Sequence, residues 1–304
     1  EAIDTVEAGE VINLSDNVEH DITAPIKINS DVIIKGTAII SNSNNVVGNL
    51  FVVDDDYTLH LEGITFDGFT NSGDGGVIYN NGVLSLNACV FSNDTSSGNG
   101  GAVYNNKGEV YSDYCKFNNC KAVNGAGIFN KGTLTLPINA NITLNKANQL
   151  GGGVYNAGTI IISKDTALYN NHAGVAGDDI YNIGTITFSN VGEDWILDDC
   201  EHRINGWYDD AENSRWEAHD KENLHIDLIE GGEYTSVTED GEIAGALAIK
   251  AAHDNIGKVV INYLDSDSNK LTEEVTTTGE VGSEYTTIKK EFDDYTFIMV
   301  EGPT

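Results

Sequence analysis

The amino-acid sequence predicts an all-β protein: residues 1–190 form a right-handed parallel β-helix (a solenoid), 191–255 a small cap or linker module, and 256–304 a small β-rich domain. Three observations predict it. The segments GGVIYNNGVLSL, GGAVYNNKGEVY, GAGIFNKGTLTL, GGGVYNAGTIII and DDIYNIGTITF repeat, and their aromatic residues Tyr79, Tyr104, Phe129, Tyr155 and Tyr181 lie 25, 25, 26 and 26 residues apart. Apolar residues alternate with period two inside each repeat, without the three-to-four-residue spacing of an amphipathic helix. A unit of this length, in a chain holding 33 glycines, cannot bury its own apolar side and must stack on the next unit.

The first coils are the least regular. ITAPIKINSDVIIKGTAII and GNLFVVDDDYTLHLEGITF alternate with looser spacing, as terminal coils do, and the solenoid is expected to begin near Asp4. In the regular coils one parity holds Ile78, Val103, Ile128, Val154 and Ile180, a β-branched column that belongs inside. The next residue of that parity is always asparagine: Asn80, Asn105, Asn130, Asn156 and Asn182. A side-chain amide donates and accepts, so copies stacked one strand apart predict an asparagine ladder.

Gly82, Gly108, Gly132, Gly158 and Gly184 follow, where the chain is expected to bend sharply. The pairs Leu84/Leu86, Leu134/Leu136, Ile160/Ile162 and Ile186/Phe188 supply the next inward strand, with Ser112 at a normally apolar place in the coil that inserts Lys107. A further strand is expected to carry Phe66, Phe91, Phe117 and Leu144, preceded two residues earlier by Ile64, Cys89, Cys115 and Ile142. The two cysteines then read as buried free thiols standing in for isoleucine.

Here the repeat GG-x-[IV]-[YF]-N-x-G-x-[LI]-x-[LI] resembles the right-handed β-helix repeats of bacterial surface adhesin-like proteins, the pectate-lyase-like superfamily and the chlamydial polymorphic membrane proteins. The resemblance covers about 60% of the chain and implies the fold; it implies no particular activity.

Residues 191–255 break the period and hold all three tryptophans, Trp195, Trp207 and Trp216. A cap covering the last coil's open strand edge is expected there. The alternative use is a sugar platform of Trp207, Tyr208 and Trp216 with Asp209 and Asp210 as hydroxyl acceptors. GALAIKAAHD near 245–254 reads as one short helix or a final strand pair. From Ile256, Val259, Ile261 and Tyr263 alternate before a polar turn at Asp265 to Lys270 and a Thr/Val-rich run. That pattern, with Gly279, Gly282, Tyr285 and Tyr295, resembles the MucBP (mucin-binding protein) domains repeated along Gram-positive surface proteins. Asp294 stands where such domains usually have glycine, and the resemblance implies a final strand beyond Thr304.

Charge bounds the partners. The chain carries 48 acidic residues against 16 Lys and Arg, a formal net of -32, spread as about -12, -14 and -6 over the three segments. Such a field repels phosphate backbones and anionic lipid, so nucleic-acid and membrane partners are not expected. No run of 18 apolar residues occurs, the residues from Glu1 show no basic and apolar leader, and Cys89, Cys115, Cys120 and Cys200 lack metal-ligand or redox spacing.

Enzymes of the resembled fold use arginine or lysine as base with calcium, or clustered aspartates with a histidine and a basic clamp. Residues 1–190 contain no arginine, and Asp54–Asp56 and Asp178–Asp179 show no such company in the sequence. Asp265-Ser-Asp267-Ser-Asn269 starts like a calcium loop, but Lys270 and Thr276 occupy the glycine and glutamate places, so a polar turn is expected and no cofactor, with calcium the one candidate.

The aromatic residues Tyr79, Tyr104, Phe129, Tyr155 and Tyr181 are expected to form an outward stripe, one ring about every 5 Å, that either stiffens the outer face or binds glycan. Together these readings, with the resemblances, imply an extracellular bacterial surface or cell-wall adhesin, monomeric and not an enzyme, whose partners are host or dietary glycans and glycoproteins such as mucin. Its ligands would be neutral or cation-bridged. Two alternatives stay open at this point. A polysaccharide lyase or glycoside hydrolase would need three carboxylates beside a lysine such as Lys116 or Lys146, and a stalk would need no ligand.

Overall fold

The computed structural model describes residues 9–15, 25–42, 46, 48–163, 165–191, 204–209, 224–227, 232–235, 246–251, 256–280 and 290–296. The chain divides into two compact units, Glu1–Ala252 and His253–Thr304.

The first unit is a parallel β-solenoid of about six turns. A regular coil runs through four short strands, for example Ile78–Asn80, Val83–Asn87, Val90–Ser92 and Thr95–Ser96. We call the sheets built from these four strands S1 to S4. Each strand pairs in parallel and in register with its counterparts one coil earlier and one coil later. Register is held by the interior, because a slip of one residue would turn every inward side chain to solvent.

The inward columns are uniform. S1 stacks Phe51, Ile78, Val103, Ile128, Val154 and Ile180, S2 stacks Leu59, Leu84, Val110, Leu134, Ile160 and Ile186, and all are buried. S3 buries Ile40, Phe66, Phe91, Phe117, Ile142 and Leu168. On S4 the inward residues are Asn71, Ser96, Ala122, Ala147 and Ala173, and the three alanines form a small apolar cluster of their own with Ala126.

The S3 column corrects one expectation: Ile142, not Leu144, follows Phe117 in register. Leu144 is 60% exposed and sits at the next corner with φ +60. Its spacing of two from Ile142 imitates a continuing strand, but the chain has already turned. The cysteine column shifts accordingly. Cys89 and Cys115 are buried free thiols whose carbonyls accept from Lys116 and Asn141, placing them between Ile64 and Ala140.

The asparagine ladder forms and has a direction. Asn80 Nδ2 donates to Asn105 Oδ1 (2.9 Å), Asn105 to Asn130 (2.7 Å), Asn130 to Asn156 (2.7 Å) and Asn156 to Asn182 (2.6 Å), all fully buried. At its amino-terminal end Val53 replaces asparagine in register, so Asn80 Oδ1 is buried with no donor. The chain bends at the glycines after the ladder, as expected, and what requires glycine there is a close approach of backbone. Gly108, Gly132, Gly158 and Gly184 have no left-handed φ, but a Cβ on any of them would strike the carbonyl oxygen of the preceding coil's glycine. Gly132→Ala is therefore expected to be strongly destabilising, by about 3 kcal/mol or more, because the atom in the way is backbone. A thermal midpoint within a degree or two of the parent's would refute this.

A second polar column, at the corner between S3 and S4, runs Phe69, Asp94, Cys120, Asn145 and Asn171. The Nδ2 groups of Asn145 and Asn171 donate to the carbonyls of Phe117 (2.9 Å) and Ile142 (2.8 Å). Asp94 copies half of this arrangement. Its Oδ1 accepts from the Phe69 amide at 2.9 Å, but Oδ2, at the place of the donating nitrogen, is buried without a partner. Burial, with Asp67 adding to it, pushes this carboxyl well above its ordinary range. A raised folded-state pKa means stability that is full below the unfolded value of about 3.9 and lost as pH rises through the folded value. Asp94→Asn is thus expected to stabilise at neutral pH, by about 1–3 kcal/mol, and the gain should vanish in acid. Chemical unfolding of both proteins at pH 3 and pH 7 measures it; an equal difference at both pH values would contradict the assignment.

Beyond the last coil, Ala246–Ala251 pairs antiparallel with Ile180–Asn182, and Gly232–Thr235 with Thr185–Val191. Ile204–Asp209 then pairs with Ala246–Ala251 and Leu224–Asp227. Antiparallel strands thus close the open edges of S1 and S2, and GALAIKAAHD supplies a strand rather than a helix. In the second unit Ile256–Ile261 and Val275–Glu280 form an antiparallel pair.

Candidate binding surface

The aromatic stripe is a stack. Tyr79, Tyr104, Phe129, Tyr155 and Tyr181 are register partners on the outer face of S1. Their rings lie 5.1, 5.1, 4.5 and 5.3 Å apart, at 24°, 10°, 7° and 27°. In-register parallel strands force this arrangement, since identical rotamers one strand apart leave no other place for a flat ring.

The stripe is outward in parity yet not open. Tyr104 is 3% and Phe129 6% exposed, whereas Tyr79, Tyr155 and Tyr181 are half-buried. Each interior ring face is covered by the next ring, and Tyr79 and Tyr181 are followed in register by Val52 and Ala246. What the stripe offers outside is ring edges and hydroxyl tips. Lys131 fills the gap left by the missing hydroxyl of Phe129. Its Nζ donates to Tyr104 Oη at 2.6 Å and sits 5.3 and 5.6 Å from the Tyr104 and Phe129 ring centres. The Tyr104 hydroxyl holds the Lys131 ammonium above its ordinary value, and burial raises the Tyr79 and Tyr155 phenols.

This geometry dictates how the stripe is probed. Tyr104→Ala is expected to cost about 3 kcal/mol, because two stacks and a buried ring are lost together. Tyr155→Phe removes only a half-buried hydroxyl and should leave the thermal midpoint nearly unchanged, so it separates a ligand contact from packing.

The other candidate residues are spread out. Trp207 and Tyr208 stand on strand Ile204–Asp209, and Trp216 lies outside the described residues, as do Trp195 and Asp210. Asp54 and Asp55 pair with Lys27 (2.8 Å) and Lys107 (2.6 Å). Asp178, read from sequence as lacking a histidine, has His172 Nδ1 at 3.3 Å and accepts the Ala173 amide at 2.8 Å. The signal was the six-residue spacing across the short S4 strand, which folds His172 back over the corner. Among the described residues no group of three His, Cys, Asp or Glu comes together to hold a metal ion.

In the second unit, Asp265 Oδ1 accepts the amides of Asp267 (2.9 Å) and Asn269 (2.8 Å), and Oδ2 accepts Asn269 Nδ2 at 3.0 Å. These bonds, the Asn269 side chain first, hold its carboxyl below the usual range. The run is a self-satisfied turn between the two strands. Tyr263 packs edge-on against Phe292 at 5.7 Å, with Lys290 Nζ 5.1 Å from the Tyr263 ring. Asp294 has φ +69, a left-handed conformation that explains why glycine suits this place.

A family model described as the MucBP domain matches residues 258–304. No curated protein and no solved structure matches the chain. The match makes the carboxyl-terminal module one of the kind found in mucin-binding surface proteins. No helix of the described residues is long and apolar enough to cross a membrane.

Proposed function

We propose that the chain is the recognition part of an extracellular bacterial adhesin, held at the cell wall, that binds mucin-like glycoproteins and does not turn them over. The observation that carries this reading is the MucBP match at 258–304 in the same chain as a rigid solenoid. A stack of coils with uniform columns has few moving parts and repeats its outer surface at each turn, which suits weak multivalent contact with a repeating glycan. The hydroxyl tips of Tyr79, Tyr155 and Tyr181, rather than ring faces, would make the polar contacts on S1, with Trp207 and Tyr208 of strand Ile204–Asp209 further aromatic candidates.

The test is a screen of the purified chain on mucin, plant and microbial glycans, with and without calcium, assaying the same wells for reducing or unsaturated ends. Binding of mucin glycans without cleavage is expected. Released ends would overturn the reading in favour of a lyase or hydrolase, and no binding at all would leave a structural stalk.

A further inference from the structure

The net charge of -32 conceals a reversal. Residues 114–177 contain five lysines, Lys116, Lys121, Lys131, Lys146 and Lys164, against one acidic residue, Asp165, a formal +4 in the middle of the acidic chain. The fold gathers three of the five on adjoining faces. Lys121 and Lys146 are direct register partners on the outer face of S4, both exposed, with Thr95 before them and His172 after. Lys116 is exposed on S3 of the same coil as Lys121, between Val90 and Asn141.

Of the four other described lysines of the coils, three are engaged, and Lys35 is the exception. Lys27 and Lys107 are paired with aspartates and Lys131 with Tyr104. Lys116, Lys121 and Lys146 make no ion pair or side-chain hydrogen bond among the described residues. Like charges directly opposed across neighbouring strands, about 4.8 Å apart, repel and oppose folding. A bound anion between them would reverse that term.

At the corner that leads into S3, on the Lys116 side of this group, stands an exposed aromatic ring. Tyr114, two residues before Lys116, is 51% exposed and has φ +54, a conformation that bulky residues rarely adopt. The same corner one and two coils earlier is turned by Ala88 and Gly63, also at positive φ. Unlike the stacked rings of S1, Tyr114 has no ring partner among the described residues. Exposed Asn148 and Gln149 extend the strand that carries Lys146.

We propose that Tyr114, Lys116, Lys121 and Lys146 form a binding surface for anionic glycan, a sugar chain bearing sulfate or carboxylate groups. The lysines take the anionic group, Tyr114 offers a free ring face to the sugar, and Asn148 and Gln149 face its hydroxyls. Asp178, at the end of the same face, is engaged by His172 Nδ1 and the Ala173 amide, and acidic groups beyond about 8 Å are largely screened at physiological salt. The surface lies on the solenoid and shares no residue with the MucBP match at 258–304, so it holds whether or not the carboxyl-terminal module binds mucin. It adds anionic ligands to the neutral or cation-bridged ones expected from the net charge.

The experiment uses the full chain with dextran sulfate, hyaluronan, unsulfated dextran and double-stranded DNA as probes. Binding of dextran sulfate or hyaluronan, which distinguishes sulfate from carboxylate, is expected at physiological salt, weakening as salt rises, with unsulfated dextran unbound. Lys121→Gln/Lys146→Gln should weaken it by roughly tenfold or more while the thermal midpoint holds or rises. Lys35→Gln, at an exposed lysine of S2, should change nothing. Tyr114→Gly relieves the backbone and should keep or raise stability while weakening binding, a split that packing alone would not produce. Failure of both anionic glycans to bind, or binding that survives Lys121→Gln/Lys146→Gln, overturns the proposal. So does DNA binding as tightly as the glycans, which would mark a patch that reads charge alone. Absence of mucin binding in the screen above with dextran sulfate binding intact would refute only the function proposed above.

Discussion

Replacing Asn130 with alanine is expected to lower the stability of the solenoid by about 4 kcal/mol, from a change of three side-chain atoms. Asn130 Nδ2 donates to Asn156 Oδ1 (2.7 Å) and lies within hydrogen-bond distance of the carbonyls of Thr159 (3.0 Å) and Gly132 (3.2 Å). Its Oδ1 accepts from Asn105 at 2.7 Å. Truncation therefore strands acceptors and a donor in a column that water does not reach, and breaks the ladder in its middle coil. Asn130→Asp keeps the shape and the acceptor but loses the donor whenever the carboxyl is charged. It should be at least as damaging as alanine at neutral pH and recover in acid. The sign follows from burial, which raises a carboxyl's folded pKa, so stability carried by the neutral form is lost as pH rises. Chemical unfolding followed by circular dichroism at two pH values measures both; a loss below about 1 kcal/mol for Asn130→Ala would mean the ladder is ornamental.

Phe91→Ala is the second large effect, about 5 kcal/mol, combining the cavity left by a buried ring with the loss of two stacks. Phe91 is fully buried between Phe66, at 5.1 Å and 21°, and Phe117, at 4.9 Å and 1°. Because Ile40, Ile142 and Leu168 hold the same column in other coils, Phe91→Leu should retain most of the stability, costing about 1.5 kcal/mol. If leucine proved as damaging as alanine, ring stacking rather than volume would be filling the column. Since each coil touches only its neighbours, either loss in the middle is expected to uncouple the coils on its two sides, which limited proteolysis would detect as cleavage near the altered coil.

A smaller effect belongs to the carboxyl-terminal module. Asp294→Gly should stabilise it by about 0.5–1 kcal/mol, because φ +69 suits glycine better than a residue with a Cβ. A lower thermal midpoint for that unit would show that the Asp294 side chain holds the turn.

By itself the sequence determined the solenoid, most of its inward columns and the asparagine ladder, while the MucBP-like module was legible by resemblance alone. The first three are written in alternation and in recurrence every 25 or 26 residues, and neither needs a neighbouring coil to be read. Only the tertiary structure decided what lies one coil away. Leu144 is correctly spaced for the core but already past the corner, and that Asp94 stands in an asparagine's place shows only when the coils are stacked. The tertiary structure also decided that the outward rings, open in sequence to stiffening or to glycan binding, cover one another's faces. The same holds for the lysines: summed along the chain their charge vanishes into a net of -32, and only in-register stacking sets Lys121 against Lys146. Contacts between coils depend on register, and a difference of one residue in a 25-residue coil decides whether a side chain packs, turns or faces solvent.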